Sequence, residues 1–204
     1  MTISVKYPVG ISHSKSNCIP YSQNQKLSFK GALDNLEPEK VFRTFEEITQ
    51  IYKESGHNEE ISAYIAEKLK KAGFDTEVKG SEHGNGQYTI VATRNVDKKK
   101  KNAIILQSHM DIVGVSVDEN GKSDGNTRKP IVLERVSEVI NGNQTTLIKN
   151  KSGEWLKAHN RTLGADDGIG VATMLAIAED PKFRNIPLEM IFTTDEEVGK
   201  CGAE

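Results

Sequence analysis

Apolar positions recur with helical spacing in three parts of the chain. Over 41–52 and again over 61–69 they return every three or four residues, which predicts two helices. Pro38 favours the start of the first helix, and Gly73 favours the end of the second. A third helix is predicted over 167–179, where the pattern stops before a proline.

Shorter apolar runs between these helices predict strands, over 74–78, 87–93, 103–107 and 187–193. The last run is continuously apolar, which suits a strand covered on both faces. Two further β-like runs within 131–149 are joined around an Asn-Gly-Asn turn and predict a hairpin. This order of elements predicts an α/β fold with a mixed, mostly parallel sheet flanked by helices.

The beginning of the chain has a different composition from the rest. Residues 1–33 contain four lysines and no Asp or Glu, and they are rich in Ser, Asn and Gln. They lack the continuous apolar core of a secretory signal and the arginines of a transit peptide. A disordered extension is therefore predicted for residues 1–33, with order beginning near residue 34.

Overall charge and cysteine content exclude several classes of function. The formal net charge of −2 creates no field that would favour nucleic acid or an anionic membrane as a partner. No apolar stretch is long enough to predict a transmembrane helix. Cys18 and Cys201 form no CxxC pair and no disulfide framework, which favours a reducing, cytoplasmic compartment.

Three short segments carry candidate chemistry, and the first is His109-Met110-Asp111. It directly follows a predicted strand. Imidazole nitrogen suits zinc, and an Asp two residues further on can accept the second ring N–H. Taken alone the pattern is weak, because a histidine at a strand end is more often a hydrogen-bonded structural residue.

The second segment, 164–170, places Asp166 and Asp167 among glycines where a loop enters the third helix. Two carboxylates at a helix N-terminus are often simple capping residues. The glycines add close backbone approach and unusual dihedral angles, which capping does not require. A carboxylate presented outward from such a loop can bridge two metal ions.

The third segment, 195–199, places Glu196 and Glu197 directly after the predicted strand at 187–193. A solvated turn is the usual explanation for consecutive acids. In open α/β sheets, however, the loops that leave the carboxyl ends of strands carry the site. One Glu can bind metal while its neighbour takes a proton from water. Three such segments in this order are a much stronger signal than any one alone.

These segments read LQSHMDIV, TLGADDGIGVA and FTTDEEVGKCGA, and they resemble those of the aminoacyl-histidine dipeptidases. That group, also called peptidase D or cytosol non-specific dipeptidases, is a branch of the co-catalytic zinc peptidases that include aminoacylase and carnosinase. The resemblance runs from about residue 36 to the last residue. It includes the segment 55–59, Ser-Gly-His-Asn-Glu.

The resemblance implies a role for each of five residues. His109 would bind one zinc ion, Asp166 would bridge two, and Glu197 would bind the second. Glu196 would be the general base, and Asp111 would orient His109. No role follows for the other histidines.

The resemblance also implies what the complete protein would contain. Residues 34–204 correspond to the N-terminal part of the catalytic domain, and further zinc ligands and a dimerisation domain would lie beyond Glu204. The complete site would hold two zinc ions, with cobalt or manganese as substitutes, and would act on dipeptides in a homodimer. The peptide bond between Asp166 and Asp167 is expected to be cis. The 204 residues alone are expected to be inactive.

Two other interpretations remain open from the sequence. An N-acyl amino acid hydrolase would keep the same metal site and change the substrate. A non-catalytic binding module would use the acidic residues only as capping or solvated groups.

Overall fold

The computed structural model describes residues 31–80, 88–97, 99, 103–136, 138–140, 147–149, 155–200 and 202. The predicted turn of the hairpin and residues 1–30 of the predicted extension therefore lie outside the described residues. Leu33, the last residue of that predicted extension, is buried in the main core.

Three α-helices lie within the described residues: α1 at Glu39–Thr49, α2 at Glu59–Lys71 and α3 at Ala165–Glu179. The predicted helices are thus confirmed. Helix α2 begins with two glutamates and ends with lysines, which complements the dipole of the helix. None of the described helices is both long enough and apolar enough to span a lipid bilayer.

Eight strands are described: β1 at Asp75–Gly80, β2 at Tyr88–Arg94, β3 at Ile104–His109, β4 at Leu133–Val136, β5 at Glu138–Ile140, β6 at Leu147–Lys149, β7 at Trp155–Ala158 and β8 at Leu188–Thr193. Four of them form a sheet in the order β1-β2-β8-β3. Strands β4 and β7 form one small antiparallel sheet, and β5 and β6 form another. The pair β5–β6 supplies the two arms of the predicted hairpin.

The main sheet is mixed and flanked by helices, as predicted, but the expectation that it would be mostly parallel needs correction. Among its described strands only β3 and β8 pair in parallel, while β1–β2 and β2–β8 are antiparallel. Strands β1 and β2 are joined by a short connection, which favours antiparallel neighbours, whereas α3 lies in the long crossover from β3 to β8.

The main core lies between the helices and one face of this sheet. Helix α1 packs on α3, and both α2 and α3 pack on the strands. The largest fully buried apolar side chains come mainly from these elements: Phe45, Ile48, Ile61, Ile65, Leu69, Ile90, Met110, Val171, Leu175, Met190 and Phe192. Burial along β8 alternates, since Glu189 and Ile191 are only half-buried. The apolar run of β8 predicts a strand that is covered equally on both faces. The structure differs, because one face of β8 is only half-buried.

One glycine explains how closely the first and third helices approach. A Cβ atom on Gly168 would lie 2.9 Å from Cε2 of Phe45 in α1. Because carbon atoms do not approach so closely without displacement, only glycine allows this packing. The close approach fixes the N-terminal end of α3 against the core, and the candidate carboxylates lie at that end.

Candidate metal centre

The three candidate segments meet at one edge of the main sheet. Strands β3 and β8 are parallel, and His109 is paired with Thr193 at their carboxyl ends. The residues that follow each strand therefore leave the sheet side by side. Helix α3 packs on β3, and its first turn lies beside His109. The topology thus brings together segments that are far apart in the sequence.

The ring of His109 is held from one side by the next part of its own chain. Its side chain is 10% exposed, and Nδ1 lies 3.1 Å from the backbone carbonyl oxygen of Asp111. A carbonyl oxygen can only accept a hydrogen bond, so Nδ1 carries the proton and donates it. The Asp111 carboxylate oxygen Oδ1 is further away, at 3.5 Å. The sequence predicts that the carboxylate of Asp111 accepts this proton. In the structure its backbone carbonyl oxygen is the nearer acceptor.

The other ring nitrogen faces a carboxylate. Nε2 of His109 lies 3.1 Å from Oδ1 of Asp166. With the proton on Nδ1, a neutral ring presents a lone pair at Nε2 to an oxygen that also only accepts. Two acceptors at this distance are stable only if a proton or a cation lies between them. The donor set of this pair thus fits a bound metal ion.

The surroundings of His109 also change its affinity for protons. Burial alone lowers the pKa of the imidazole, but the hydrogen bond with Asp166 and the negative charges of Asp111 and Asp167 outweigh it and raise the pKa above 6.5. These groups stabilise positive charge at the ring, whether it comes from a proton or from a metal ion.

The two adjacent aspartates at the start of α3 have different environments. The side chain of Asp166 is 91% exposed and points to His109. The carboxylate of Asp167 instead accepts hydrogen bonds from Ser108 Oγ at 2.6 Å and from the backbone N–H of Gly170 at 3.1 Å. Asp166 and Asp167 have non-helical backbone angles, so Asp167 caps the regular part of α3 that follows them, and Asp166 is left for the site. The peptide bond between them is cis, as expected.

A glycine just before these aspartates permits the turn that presents them. Gly164 has φ of +70°, and a Cβ atom there would lie 2.8 Å from Cγ2 of Ile112. Both the positive φ and the close approach exclude an ordinary side chain.

The acidic turn after β8 is anchored by Asp111, which is completely buried. Its carboxylate accepts the backbone N–H groups of Glu196 at 3.1 Å and Glu197 at 3.3 Å, and the hydroxyl of Ser55 at 2.7 Å. The same residue therefore holds His109 and the start of the acidic turn together.

The side chains of Glu196 and Glu197 point toward His109. One carboxylate oxygen of each and one ring nitrogen of His109 all lie within 4.8 Å of one another. Ligands on one zinc ion are at most about 4 Å apart, since each bond is about 2 Å long, so a small movement of these side chains would bring them to bonding distance. Glu196 is half-buried and Glu197 is exposed, so both have room to move.

Sequence reasoning assigned no role to three residues that support the site. Asp195 is buried, and its Oδ1 accepts the backbone N–H of Gly56 at 2.5 Å and Nδ2 of Asn58 at 3.3 Å. Asn58 and Ser55 lie in the Ser-Gly-His-Asn-Glu segment, which carried part of the resemblance. The resemblance of that segment to the family was the only sequence signal that could have pointed to Ser55 and Asn58.

The remaining histidines of the described chain lie in other surroundings. His57 packs beside the ring of Tyr52, with centroids 5.5 Å apart. His159 contacts Glu134 at 2.7 Å on the β4–β7 sheet.

Comparison with known proteins identifies relatives that are peptidases, although no family model matches the chain. The cytosol non-specific dipeptidase of Escherichia coli K12 is 31% identical over 171 residues, which are 84% of this chain and 31% of that protein. Peptidase T of Clostridium perfringens is 29% identical over 180 residues, or 81% of this chain and 42% of the relative.

Two solved structures that resemble this chain are peptidases as well. The aminoacylhistidine dipeptidase of Vibrio alginolyticus matches with a TM-score of 0.56 at 29% identity, over 85% of this chain and 31% of that one. A tripeptidase of Staphylococcus aureus has a TM-score of 0.56 at 23% identity, covers 81% of this chain and 38% of its own, and shows the shared fold.

The fold and these relatives define the class as a metallopeptidase catalytic domain, present here in part. Within that class, the homologues indicate the M20 peptidases, and the chain resembles the dipeptidase branch to which its motifs also point. It spans about a third of the length of the dipeptidases that it matches.

Proposed function

We propose that this chain forms part of a zinc-dependent dipeptidase that hydrolyses aminoacyl-histidine or a broad range of dipeptides. The observation that carries the proposal is the contact between Nε2 of His109 and Oδ1 of Asp166, at 3.1 Å. Because Nδ1 donates to the Asp111 carbonyl, this pair of acceptors needs a proton or a cation between them, and a metal ion would supply the positive charge.

Three side chains would hold the metal. His109 would bind one zinc ion, Asp166 would bridge two, and Glu197 would bind the second. Their nitrogen and oxygen atoms are the donors that zinc takes in catalytic sites. The complete site would contain two zinc ions, with cobalt or manganese able to substitute. When bound, zinc lowers the pKa of water and polarises the peptide carbonyl.

Glu196 would handle the proton. Its half-buried carboxylate would accept a proton from the attacking water and later donate it to the nitrogen of the leaving amine. Lys200 Nζ lies 3.6 Å from Oε1 of Glu196, so a positive charge faces that carboxylate.

Asp111 would orient the metal-binding histidine. Its backbone carbonyl keeps the Nδ1 proton in place, and this leaves Nε2 as the ligand atom. Its carboxylate holds the backbone of the acidic turn, so that Glu196 and Glu197 face the same point as His109.

The wider setting is proposed from the family. The substrate would be a dipeptide, nucleic acid and membrane would not be partners, and the complete protein would be a cytoplasmic homodimer. The present chain is expected to bind zinc weakly and to show no dipeptide turnover, because its described residues offer few ligands for two ions.

The test compares the purified chain with a longer protein that contains the whole catalytic domain. Both are titrated with zinc, and both are assayed on aminoacyl-histidine dipeptides alongside N-acetyl amino acids. We expect zinc binding by both and dipeptide hydrolysis by the longer protein only. Hydrolysis of N-acetyl amino acids alone would identify an N-acyl amino acid hydrolase. No zinc binding by either protein would leave a non-catalytic module.

A further inference from the structure

The segment that joins α1 to α2 contacts both buried aspartates of the candidate centre. Ser55 contacts Asp111, which follows β3. Gly56 and Asn58 contact Asp195, which follows β8. Residues 55–58 therefore connect two parts of the chain that each carry candidate zinc ligands, although they lie far from both in sequence.

Asn58 occupies an unusual position for this contact. It is the residue before the first turn of α2, where asparagine commonly accepts a backbone N–H of its own helix. Its side chain makes no such hydrogen bond; it is completely buried and donates Nδ2 to Oδ1 of Asp195 at 3.3 Å. The side chain of Asn58 thus serves the acidic turn and not its own helix.

Asp195 needs this support because of its backbone. Its φ of +55° lies in the left-handed region, which turns the chain sharply between β8 and Glu196. The turn directs the following two glutamates toward His109. Hydrogen bonds from Gly56 and Asn58 hold the carboxylate of Asp195, and with it this turn, in place.

Ser55 supports the other half of the centre. Its hydroxyl donates to Oδ2 of Asp111 at 2.7 Å, the shortest hydrogen bond described for that carboxylate. The same carboxylate also accepts the backbone N–H of Glu196 at Oδ1 and that of Glu197 at Oδ2. Without the hydroxyl, a completely buried carboxylate loses a donor, and its position is less well determined.

We propose that Ser55 and Asn58 are positioning residues of the zinc centre. They fix Asp111 and Asp195, which in turn orient His109 and the two glutamates, and they touch neither the metal nor the substrate. This inference rests on the proposed function only in requiring that the centre binds zinc.

The experiment measures the zinc dissociation constant of the chain by competition with a chromophoric chelator. Ser55→Ala and Asn58→Ala should weaken zinc binding by roughly 10-fold or more, the usual effect of removing groups that orient metal ligands. Ser55→Thr, which keeps the hydroxyl, should restore most of the affinity.

Ser62→Ala is the matched control. Ser62 lies in α2, away from the acidic turn; it is buried, whereas Ser55 is half-buried, and its hydroxyl donates to the carbonyl oxygen of Tyr88 at 3.2 Å. Ser62→Ala also loses one hydroxyl hydrogen bond, so its thermal midpoint should fall, but by less than that of Ser55→Ala, because its acceptor is a neutral carbonyl and not a carboxylate. Its zinc affinity should equal that of the unmodified chain.

The outcomes separate this inference from the proposed function. If neither the unmodified chain nor the longer protein binds zinc, the metal centre itself is wrong; if only the longer protein binds it, the same variants are measured there. If the unmodified protein binds zinc and Ser55→Ala binds equally well, the positioning role is wrong even where the thermal midpoint falls. Equal weakening by Ser55→Ala and Ser62→Ala, or no rescue by Ser55→Thr, would also overturn it. Should Asn58→Ala fail to fold, the Ser55 variants still decide the question.

Discussion

Nε2 of His109 lies 3.1 Å from Oδ1 of Asp166, although the two residues are 57 positions apart in the sequence. His109 is at the end of β3 and is 10% exposed, whereas Asp166 is in the first turn of α3 and is 91% exposed. A rigid, nearly buried nitrogen thus faces a carboxylate that is free to move. This combination allows the carboxylate to adjust around an ion whose position the imidazole determines.

Zinc binding should depend on pH through His109. Zinc and the proton compete for Nε2, and the pKa of this imidazole is raised above 6.5. Zinc affinity should therefore increase as pH rises through and above this range, and should fall below it. Zinc titrations at pH values from about 5.5 to about 8.5, spaced by roughly half a pH unit, would measure this dependence.

A second histidine provides the control for that experiment. His159 also contacts a carboxylate, at 2.7 Å, but it lies on the β4–β7 sheet. His109→Ala should weaken zinc binding strongly, while His159→Ala should leave both the affinity and its pH dependence unchanged. A pH dependence that survives in His109→Ala would show that other ligands control the site.

The raised pKa of His109 makes the stability of the metal-free protein fall as pH rises, whereas zinc affinity increases with pH. The folded state holds the His109 proton more tightly than the unfolded chain does. Its contribution to the free energy of unfolding is therefore fully present below about pH 6.5 and is lost as pH rises through the folded pKa. Chemical denaturation in the presence of a chelator would show this loss, and His109→Ala would remove it.

The two adjacent aspartates should give different results when each is replaced. Asp166→Ala should weaken zinc binding and, at a pH above the pKa of His109 in the folded state, leave the stability of the metal-free chain nearly unchanged, because its side chain is 91% exposed. Asp167→Ala should lower the free energy of unfolding by about 1 kcal/mol, because Asp167 caps α3. Denaturant unfolding and zinc titration of both variants would measure these effects. Equal losses of zinc affinity and of stability in the two variants would contradict the division of roles.

The sequence predicts much of this arrangement because its signals are local. Strand periodicity places His109 and Glu196 just beyond strand ends, and glycines around Asp166 indicate a special turn. Parallel pairing of β3 and β8 then brings those strand ends together. The antiparallel pairing of β2 with β8 could not be predicted in the same way, because it depends on packing between distant segments and not on local pattern.

Contacts between residues that are distant in the sequence could not be predicted either. Asn58 and Asp195 are 137 positions apart, and a buried asparagine beside an aspartate leaves no periodic signal. The nearer acceptor for Nδ1 of His109 is the backbone carbonyl oxygen of Asp111. Every residue type has such an oxygen, so the residue type gives no signal. Only the register of the folded strands determines which backbone oxygen comes close.

A buried lysine near the end of α1 should make stability depend on pH. Lys53 is 2% exposed, and its Nζ donates to the carbonyl oxygen of Ile48 at 2.7 Å. Burial, and to a lesser extent the charge of Arg161, lower its pKa from 10.5 to about 7. Between these values the unfolded chain binds more protons than the folded chain. The free energy of unfolding should therefore increase with pH in this window, by at most about 1.4 kcal/mol per pH unit.

Two methionine variants would isolate the contribution of Lys53. Urea unfolding from pH 7 to 10 should show a rising stability in the unmodified chain that Lys53→Met reduces. Lys40→Met, which replaces an exposed lysine paired with Glu179 at 3.1 Å, should retain it. The same slope in Lys53→Met and the unmodified chain would mean that Lys53 stays charged when buried.

The last prediction separates the two glutamates of the acidic turn. The backbone N–H groups of Glu196 and Glu197 both donate to Asp111, and both carboxylates reach the neighbourhood of His109. Their environments differ, because Glu196 is half-buried beside Lys200 whereas Glu197 is exposed. Glu197→Gln should therefore lower zinc content, since it weakens a direct bond to the metal. Glu196→Gln should leave zinc content near normal and remove most turnover in a protein that contains the complete site, because the amide cannot accept a proton. Metal analysis after dialysis and a dipeptide hydrolysis assay measure the two effects. If Glu196→Gln lost zinc and Glu197→Gln kept it, the two roles would be exchanged, and if neither changed zinc content or rate, the centre would lie elsewhere in the molecule.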